Sequence, residues 1–451
     1  MANPQRRDFT SGSLARNLLD LGLPMAATSL VFGLPSIAES YWLGKLGSVA
    51  LAAASMGMAL RVVFISLVMG LSGGGMALVA RHIGSRDQAT ADRATQQTEL
   101  SILMATMLLG AMGALLAPTF LRWMGAEGVM LTEGVRYARV IFIGLWALEL
   151  IPSMNALLQG AGSAEWAFRA TLLSVGTICL LQPLLILGWG PLPSLGVTGA
   201  ALALVLGYAT GLVLQQVVFL TGRARVCIPL RPLGIDGRMM ARILRLGLPI
   251  AVERFMPNLA QTIMLGLVAG LGTATLAGYN VTTRLFGLAM MMGTGLGSVA
   301  GTLVGQNLGA HQPGRAERSA WAVAGIATGL MAVILLPLAW LATGAVALFN
   351  REPEVIAAGI QCLRWMVVGQ VFNTLGLSLT TALRGAGDTV SPMVITTGTL
   401  WLVQLPLAYG LSRAMGWGAT GLWLALTITP MVTAVAFSLR FRQGRWKTRR
   451  V

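Results

Sequence analysis

Residues 319–343 read SAWAVAGIATGLMAVILLPLAWLAT, a run that contains no charged side chain. A helix needs about 20 mainly apolar residues to cross the hydrocarbon core of a bilayer. Other segments of the chain have a similar length and composition. We therefore predict an all-α integral membrane protein with twelve transmembrane helices, at residues 17–43, 48–80, 96–118, 137–158, 168–189, 196–220, 242–270, 276–306, 319–343, 359–381, 389–411 and 418–440.

The composition of the whole chain also indicates a protein whose solvent is lipid. Of 451 residues, 55% are hydrophobic and 11% charged, whereas soluble domains carry roughly a quarter charged residues. The net charge of +16 would suit a nucleic-acid-binding protein. Most cations, however, lie between apolar runs and at the termini, so we expect no nucleic-acid partner. The three Cys and two His lack zinc or redox spacing, so we expect no cofactor and no structural metal.

The distribution of cations predicts the orientation of the helices. The N-terminus and the even-numbered loops hold 22 of the 32 Lys and Arg residues, the opposite loops and adjoining helix ends hold seven, and three lie inside spans. Cytoplasmic loops carry the excess of Lys and Arg in membrane proteins. We therefore expect a multi-pass protein of a bacterial-type plasma (inner) membrane with both termini in the cytoplasm.

The chain repeats itself at an offset of 225 residues. This offset relates Gly22-Leu23-Pro24 to Gly247-Leu248-Pro249, and Gly160-Ala161-Gly162 to Gly385-Ala386-Gly387. A repeat of six helices gives two copies with the same orientation in the membrane. We predict two pseudo-symmetric six-helix lobes with basic flanking segments, arranged as a cytoplasmic tail 1–16, an N-terminal lobe 17–222, a cytoplasmic linker 223–240, a C-terminal lobe 241–440 and a basic cytoplasmic tail 441–451.

Two repeated bundles are typical of a secondary transporter, because rocking one bundle against the other alternates access to a site near the membrane midplane. A channel fits this repeat less well. A membrane-embedded enzyme would need a catalytic cluster, and no acid is paired with a histidine in the spans, so we expect no enzyme. The stripe of Gly293, Gly297, Gly301, Gly305 and Gly309 predicts close packing of the eighth span.

Several motifs, in their order and spacing, resemble the multidrug and toxic compound extrusion (MATE) family from about residue 18 to 440. Pro24 and the stretch Glu39-Ser40-Tyr41-Trp42-Leu43-Gly44 follow the family's proline and its acidic-to-glycine ending in the first span. The motifs LGVTGAA (195–201), LVGQNLGA (303–310) and LRGAGDT (383–389) are similar to the family's forms near the sixth, eighth and tenth spans. The resemblance implies a V-shaped pair of six-helix lobes and cation-coupled export of cationic or amphipathic small molecules. We expect a monomer.

Three acidic residues inside the predicted spans, Glu39, Glu149 and Glu253, are the candidates for cation coupling. An uncompensated charge in a span costs a few kcal/mol, so such groups usually face a cavity or a partner. None recurs at the offset of 225, although scaffold requirements should be similar in both halves. A carboxylate held away from water can bind a proton near neutral pH and exchange it for a cation. Structural ion pairs are the alternative, with Arg61 for Glu39 and Arg284 for Glu253.

The resemblance also points to Asn155, Gln182 and Asn373 as polar residues that line a cavity or bind substrate. Arg61 and Arg284, which fall inside predicted spans, are further candidates for this role. Gln182 stands before Pro183 where many relatives carry an aspartate, and Asn373 aligns with an aspartate of some relatives. Neither lobe therefore keeps a complete set of cation ligands. Na⁺ prefers several oxygen ligands and a proton needs one carboxylate, so we favour H⁺ and leave open Na⁺ at Glu253 and Asn373.

The predicted function is a cation-coupled antiporter that works by alternating access. A lipid-linked glycan or lipid flippase of the same broad superfamily is the first alternative. Such flippases often have additional helices and a cationic cavity for phosphates, whereas the unpaired acids here favour cations. A membrane-embedded enzyme is the alternative of another class.

Overall fold

The computed structural model describes residues 8–188, 193–228 and 234–449, and within these ranges the chain is helical without β-strands. Parts of five predicted segments lie outside the described residues: 1–7 of the tail 1–16, 189–192 of the N-terminal lobe 17–222, 189 of the fifth span, 229–233 of the linker 223–240, and 450–451 of the tail 441–451.

The helices of the first repeat are α1 (Leu14–Leu46), α2 (Ser48–Gly84), α3 (Gln88–Trp123), α4 (Gly128–Ile143), α5 (Leu145–Gly160), α6 (Ala164–Leu187) and α7 (Gly196–Leu220). Those of the second are α8 (Gly237–Ala269), α9 (Thr273–Gly309), α10 (Pro313–Trp340), α11 (Ala342–Ala347), α12 (Pro353–Gly385), α13 (Val390–Gly398), α14 (Leu405–Tyr409) and α15 (Gly418–Arg442). Two π-helical turns, Thr399–Gln404 and Gly410–Ala414, make residues 390–414 one continuous helix with α13 and α14.

Each of the twelve predicted spans falls on one of these helices or, for the fourth, on a pair. In the described part of the chain, ten helices are long and apolar enough to cross a membrane, and α4 with α5 forms an eleventh as a bent pair. The remaining long helix is α8, whose charged residues lower its hydropathy. Its apolar residues from Leu259 to Ala269 nevertheless continue the pattern of a span.

The fourth predicted span, 137–158, differs from a simple continuous helix. It is broken at Gly144, where α4 and α5 meet at an angle of 50°. Gly144 has φ −85° and ψ 7°, which interrupts the helical hydrogen-bond ladder. A side chain there would overlap Val205 of α7, so the missing Cβ lets the corner pack tightly. The apolar pattern runs through the corner unchanged and does not reveal it.

The repeat seen in the sequence is also present in the backbone. Gly47, which precedes α2, has φ 113°, and Gly272, which precedes α9, has φ 111°. Arg86 and His311 share left-handed φ values of 61° and 58°. Both pairs are separated by 225 residues. Non-glycine residues rarely adopt positive φ. The shared left-handed conformation of Arg86 and His311 therefore supports the interpretation that the two halves are copies of one structural unit.

The described chain divides into two compact units. The first consists mainly of Ala27–Ala251, and the second contains Phe9–Ala26 together with the chain from Val252 onward. Helix α1 therefore begins in the second unit and ends in the first. Helix α8 begins in the first unit and ends in the second.

Small residues bring helices together inside the second unit. The hydroxyl of Thr381 on α12 donates a hydrogen bond of 2.6 Å to the carbonyl of Gly297 on α9. A Cβ on Gly385 would meet the backbone of Gly301. The predicted glycine stripe of α9 therefore serves as a packing surface for α12, as small-residue stripes do in membrane helices.

Candidate functional site

Glu39 lies near the end of α1 in the first unit, and only 6% of it is exposed. The hydroxyl of Tyr137 on α4 donates a hydrogen bond of 2.7 Å to Oε1 of Glu39. This is the only hydrogen bond to the carboxylate among the described residues. Arg61 interacts electrostatically with Glu39 but makes no ion pair with it. Glu39 is thus a buried carboxylate whose direct partner is neutral.

Arg61 on α2 pairs instead with Glu149 on α5. Its Nε and Nη2 atoms donate to Oε1 of Glu149 at 3.0 and 2.6 Å. Glu149 is 1% exposed, so the pair is shielded from solvent. The alternative ion pair of Arg61 with Glu39 is not formed, because the guanidinium pairs with Glu149 on α5, against which α2 packs. Glu149 therefore has a full countercharge.

Buried amides connect the helices around this pair. Asn155 on α5 donates to Oγ1 of Thr171 on α6 at 2.9 Å and accepts from Nε2 of Gln215 on α7 at 2.7 Å. Gln182 on α6 donates to the carbonyl of Pro35 on α1 at 3.3 Å. The Oε1 atoms of Gln182 and Gln215 have no hydrogen-bond partner in the described chain. The first unit thus holds a polar core with unused acceptors.

Glu253 on α8 is 4% exposed and belongs to the second unit. Arg384, in the last turn of α12, donates to Oε2 of Glu253 from Nη2 at 2.8 Å and from Nε at 3.1 Å. The hydroxyl of Thr396 on α13 donates to Oε1 at 3.4 Å. The alternative partner Arg284 is exposed on α9, and the ion pair is made instead by Arg384, which lies in the last turn of α12.

The other predicted cavity residue of the second unit is Asn373 on α12, which is exposed and donates to Oε1 of Gln370 at 3.2 Å. No hydrogen bond joins Asn373 to Glu253; the carboxylate has Arg384 and Thr396 as its described hydrogen-bond partners. Throughout the described ranges, no group of three or more His, Cys, Asp or Glu residues is arranged to hold a metal ion.

The second unit also contains a cavity of about 300 Å³, between α8, α9, α12, α15 and the π-helical turn 399–404. Its lining is apolar with a few amide and hydroxyl groups, from Pro257, Ala260, Gln261, Met264, Tyr279, Thr283, Phe286, Gly287, Met290, Met366, Gln370, Leu400, Gln404 and Leu426. We call it the amide cavity. None of the lining residues is charged.

Three residues that complete these sites were missed at the level of sequence. In the sequence, Tyr137 follows a predicted loop and has the position of an apolar first residue of the fourth predicted span. Arg384 belongs to the LRGAGDT motif at 383–389, and an arginine at the end of a span next to three small residues was the available signal. Gln404 stands two residues before Pro406 in an otherwise apolar span, and a lone amide beside a proline was the signal there.

The comparison with known families gives a match in both halves. The family model described as MatE matches residues 24–184 and again residues 249–410. Together the matches cover well over half of the chain, and they start 225 residues apart, the offset of the internal repeat. The chain belongs to the MatE family. The prediction from the sequence motifs is confirmed.

Curated MatE relatives align along almost the entire chain. A probable multidrug resistance protein NorM of Deinococcus radiodurans is 28% identical over 95% of this chain and 96% of its own length. A protein named FAD transporter from Shewanella oneidensis is 26% identical over 96% of this chain and 95% of its own. A transporter role for the chain follows from these MatE relatives.

Solved MATE structures confirm the fold. A crystal structure of a MATE in the bent conformation superposes with a TM-score of 0.90 at 23% sequence identity, covering 98% of each chain. The predicted all-α membrane fold with twelve helices in two pseudo-symmetric six-helix bundles is therefore confirmed. The chain is a multi-pass membrane protein of the MatE family.

Proposed function

We propose that this MatE protein is a proton-coupled antiporter that exports cationic or amphipathic small molecules by alternating access. Its setting is a bacterial-type inner membrane with both termini in the cytoplasm, and it acts as a monomer. Within this proposal Glu39 carries the proton. Glu149 and Glu253 have a supporting role, because each is already neutralised by an arginine.

The state of Glu39 is the observation that carries the proposal. A charge inside a membrane span is costly unless it is compensated. Glu39 is buried, and its direct partner is the neutral hydroxyl of Tyr137. A proton or a cationic substrate would each remove the uncompensated charge, and they would compete for the same carboxylate. Competition of this kind makes binding of one cation release the other, which is the basis of antiport.

A proton fits the surroundings of Glu39 better than Na⁺ does. Na⁺ needs several oxygen ligands, whereas a single proton neutralises the carboxylate of Glu39, whose described hydrogen-bond partner is the hydroxyl of Tyr137. Exchange of one proton for one monovalent cation is electroneutral, so each pH unit supports roughly a tenfold substrate gradient, equivalent to about 1.4 kcal/mol. A physiological pH gradient is therefore sufficient for useful export.

The test is transport by the purified protein in liposomes with an imposed pH gradient, Na⁺ gradient or internal ATP. We expect the pH gradient to drive movement of ethidium. Replacement Glu39→Gln should lower the driven rate at least tenfold, because the amide cannot exchange a proton. Glu127→Gln, an exposed residue before α4, is the matched control and should behave as wild type.

Each part of the proposal has its own contrary result. Full coupling in Glu39→Gln would remove Glu39 as the proton carrier. Transport driven by a Na⁺ gradient alone would show that the coupling ion is Na⁺ and not a proton. Transport of flavin adenine dinucleotide but not of ethidium would contradict the proposed class of substrate. Transport driven only by ATP would overturn the antiport mechanism.

A further inference from the structure

The amide cavity contains polar groups that the fold itself leaves unused. Gln404 is 9% exposed, lines the cavity, and makes no hydrogen bond to a described residue. Gln261 on α8, which is exposed, also makes no described hydrogen bond. Native proteins normally satisfy buried polar groups with protein, water or ligand. Because no described protein group pairs with the side chain of Gln404, its donor and acceptor groups are available to water or to a ligand that enters this cavity.

The backbone places Gln404 in the cavity by an irregular turn. Residues 399–404 form a π-helical turn directly before Pro406. Proline lacks an N–H group and its ring clashes with the preceding helical turn, which accounts for the wider winding here. Leu400 and Gln404 from this turn both line the cavity. Such π-helical turns are rare and are often found at functional sites.

The neighbouring glutamine is oriented by its own partner. Asn373 donates to Oε1 of Gln370, a lining residue of the cavity, and the amino group of Gln370 makes no described hydrogen bond, so it remains available as a donor. Gln370 is thus a donor, while Gln404 retains both a donor and an acceptor. The amides of the cavity therefore match a ligand that presents a C=O group and an adjacent N–H group.

Charge and size restrict the ligand further. Glu253 precedes the lining residue Pro257 by one helical turn, and Thr396 precedes Leu400 by one turn. The acid that precedes the lining residue Pro257 is thus the one already neutralised by Arg384. The volume of about 300 Å³ lies at the lower end for small-molecule pockets. Phe286, Met264 and Met290 add flat and polarizable surface that suits an aromatic ring.

We propose that the amide cavity binds an uncharged planar ring system with a lactam edge, in which an N–H donor and a C=O acceptor are adjacent. Gln404 pairs with both groups of this edge, and Gln370 donates to the carbonyl. The inference rests on the proposed transport function only in treating this ring as part of an exported compound. Binding itself requires no ion gradient.

The experiment uses three ligands built on the same ring. Phenanthridinone has a lactam edge, N-methylphenanthridinone lacks the N–H donor, and ethidium is a phenanthridinium cation without the lactam. Affinities are measured by fluorescence titration of the purified full chain in detergent. We expect phenanthridinone to bind at least tenfold more tightly than its N-methyl derivative. Equal affinity of these two ligands for the wild-type protein would overturn the proposal without reference to any variant.

Variants then assign the selectivity to Gln404. Gln404→Leu should weaken phenanthridinone binding about tenfold and change the affinity for N-methylphenanthridinone and ethidium less than threefold. Gln361→Leu, an exposed glutamine of α12 outside the cavity, is the matched control. An equal loss for all three ligands would contradict a specific role of the amide. Size-exclusion profiles and melting temperatures show whether each variant is folded.

Failure here and failure of the antiport proposal give different results. If Gln404→Leu and the wild type bind phenanthridinone with equal affinity, the cavity inference is wrong. If a pH gradient still drives ethidium transport that depends on Glu39, the antiport proposal stands. If the lactam binds as expected but no pH gradient drives transport, the cavity inference stands and the coupling proposal is wrong.

Discussion

At the scale of single residues, the three buried carboxylates of the spans differ in what balances their charge. Nε and Nη2 of Arg61 both donate to one oxygen of Glu149, and Nε and Nη2 of Arg384 both donate to one oxygen of Glu253. Glu39 has one neutral hydroxyl. Removing one partner of a buried ion pair leaves a charge without compensation, which is far more costly than losing both partners. This difference gives a direct test of the two arginine pairs.

The variant Arg61→Gln should destabilise the protein, because it leaves Glu149 charged and buried. We expect a loss of about 3 kcal/mol. The double variant Arg61→Gln with Glu149→Gln should recover most of this loss, since no lone charge remains. Apparent melting temperatures in detergent give the comparison. Arg136→Gln, from an exposed pair with Glu133, is the control and should change little. A double variant no more stable than the single one would contradict the pairing argument.

The sequence could identify these acids but not their partners. A charged residue in an apolar run is visible from composition alone, so Glu39, Glu149 and Glu253 were found. Their partners lie 98, 88 and 131 residues away in the chain. Such contacts depend on which helices pack and in what rotation. Nearby cations such as Arg284 were therefore chosen over Arg384, which only the fold brings to Glu253.

At the scale of helices, the apolar pattern predicted where spans exist but not how they are interrupted. The break at Gly144 and the π-helical turn before Gln404 both lie inside runs with the hydropathy of an ordinary span. Hydropathy reports transfer into lipid, and it is insensitive to how backbone hydrogen bonds are shared. The close packing at the glycines could be predicted from the sequence, because the spacing of four residues in α9 places Gly297 and Gly301 on one face of the helix.

Gly385→Ala tests the packing of α12 on α9. The added Cβ would meet the carbonyl oxygen of Gly301, which is backbone and cannot rotate away. We expect destabilisation of about 2 kcal/mol, in the range for overpacking. Gly325→Ala in α10 is the matched control, because nothing lies near its Cβ position. It should be neutral or slightly stabilising, since alanine favours helix more than glycine does. Melting temperatures that fall equally in both variants would contradict close α9–α12 packing.

At the scale of the whole molecule, the cation distribution and the repeat of six helices together predict the orientation in the membrane. Both halves have six spans, so each begins and ends on the same side. The side with the termini and the even-numbered loops holds 22 Lys and Arg residues, and the opposite side holds seven. Cytoplasmic loops carry the excess of these cations, so the side with the termini is predicted to face the cytoplasm. The prediction concerns two short connections that lie on opposite sides of α3, the turn 85–87 and the turn 124–127.

Cysteine labelling of these two connections tests the orientation. Ser85→Cys and Glu127→Cys introduce exposed thiols, and replacement of Cys179 and Cys227 by serine removes the partly exposed native ones, while Cys362 is buried. In intact cells a membrane-impermeant maleimide should label Glu127→Cys at least tenfold more than Ser85→Cys, and detergent should equalise the two. Labelling of Ser85→Cys alone would invert the orientation, and equal labelling in intact cells would show that α3 does not cross. The result depends on no assumption about substrate or coupling ion, so it examines the positive-inside argument by itself.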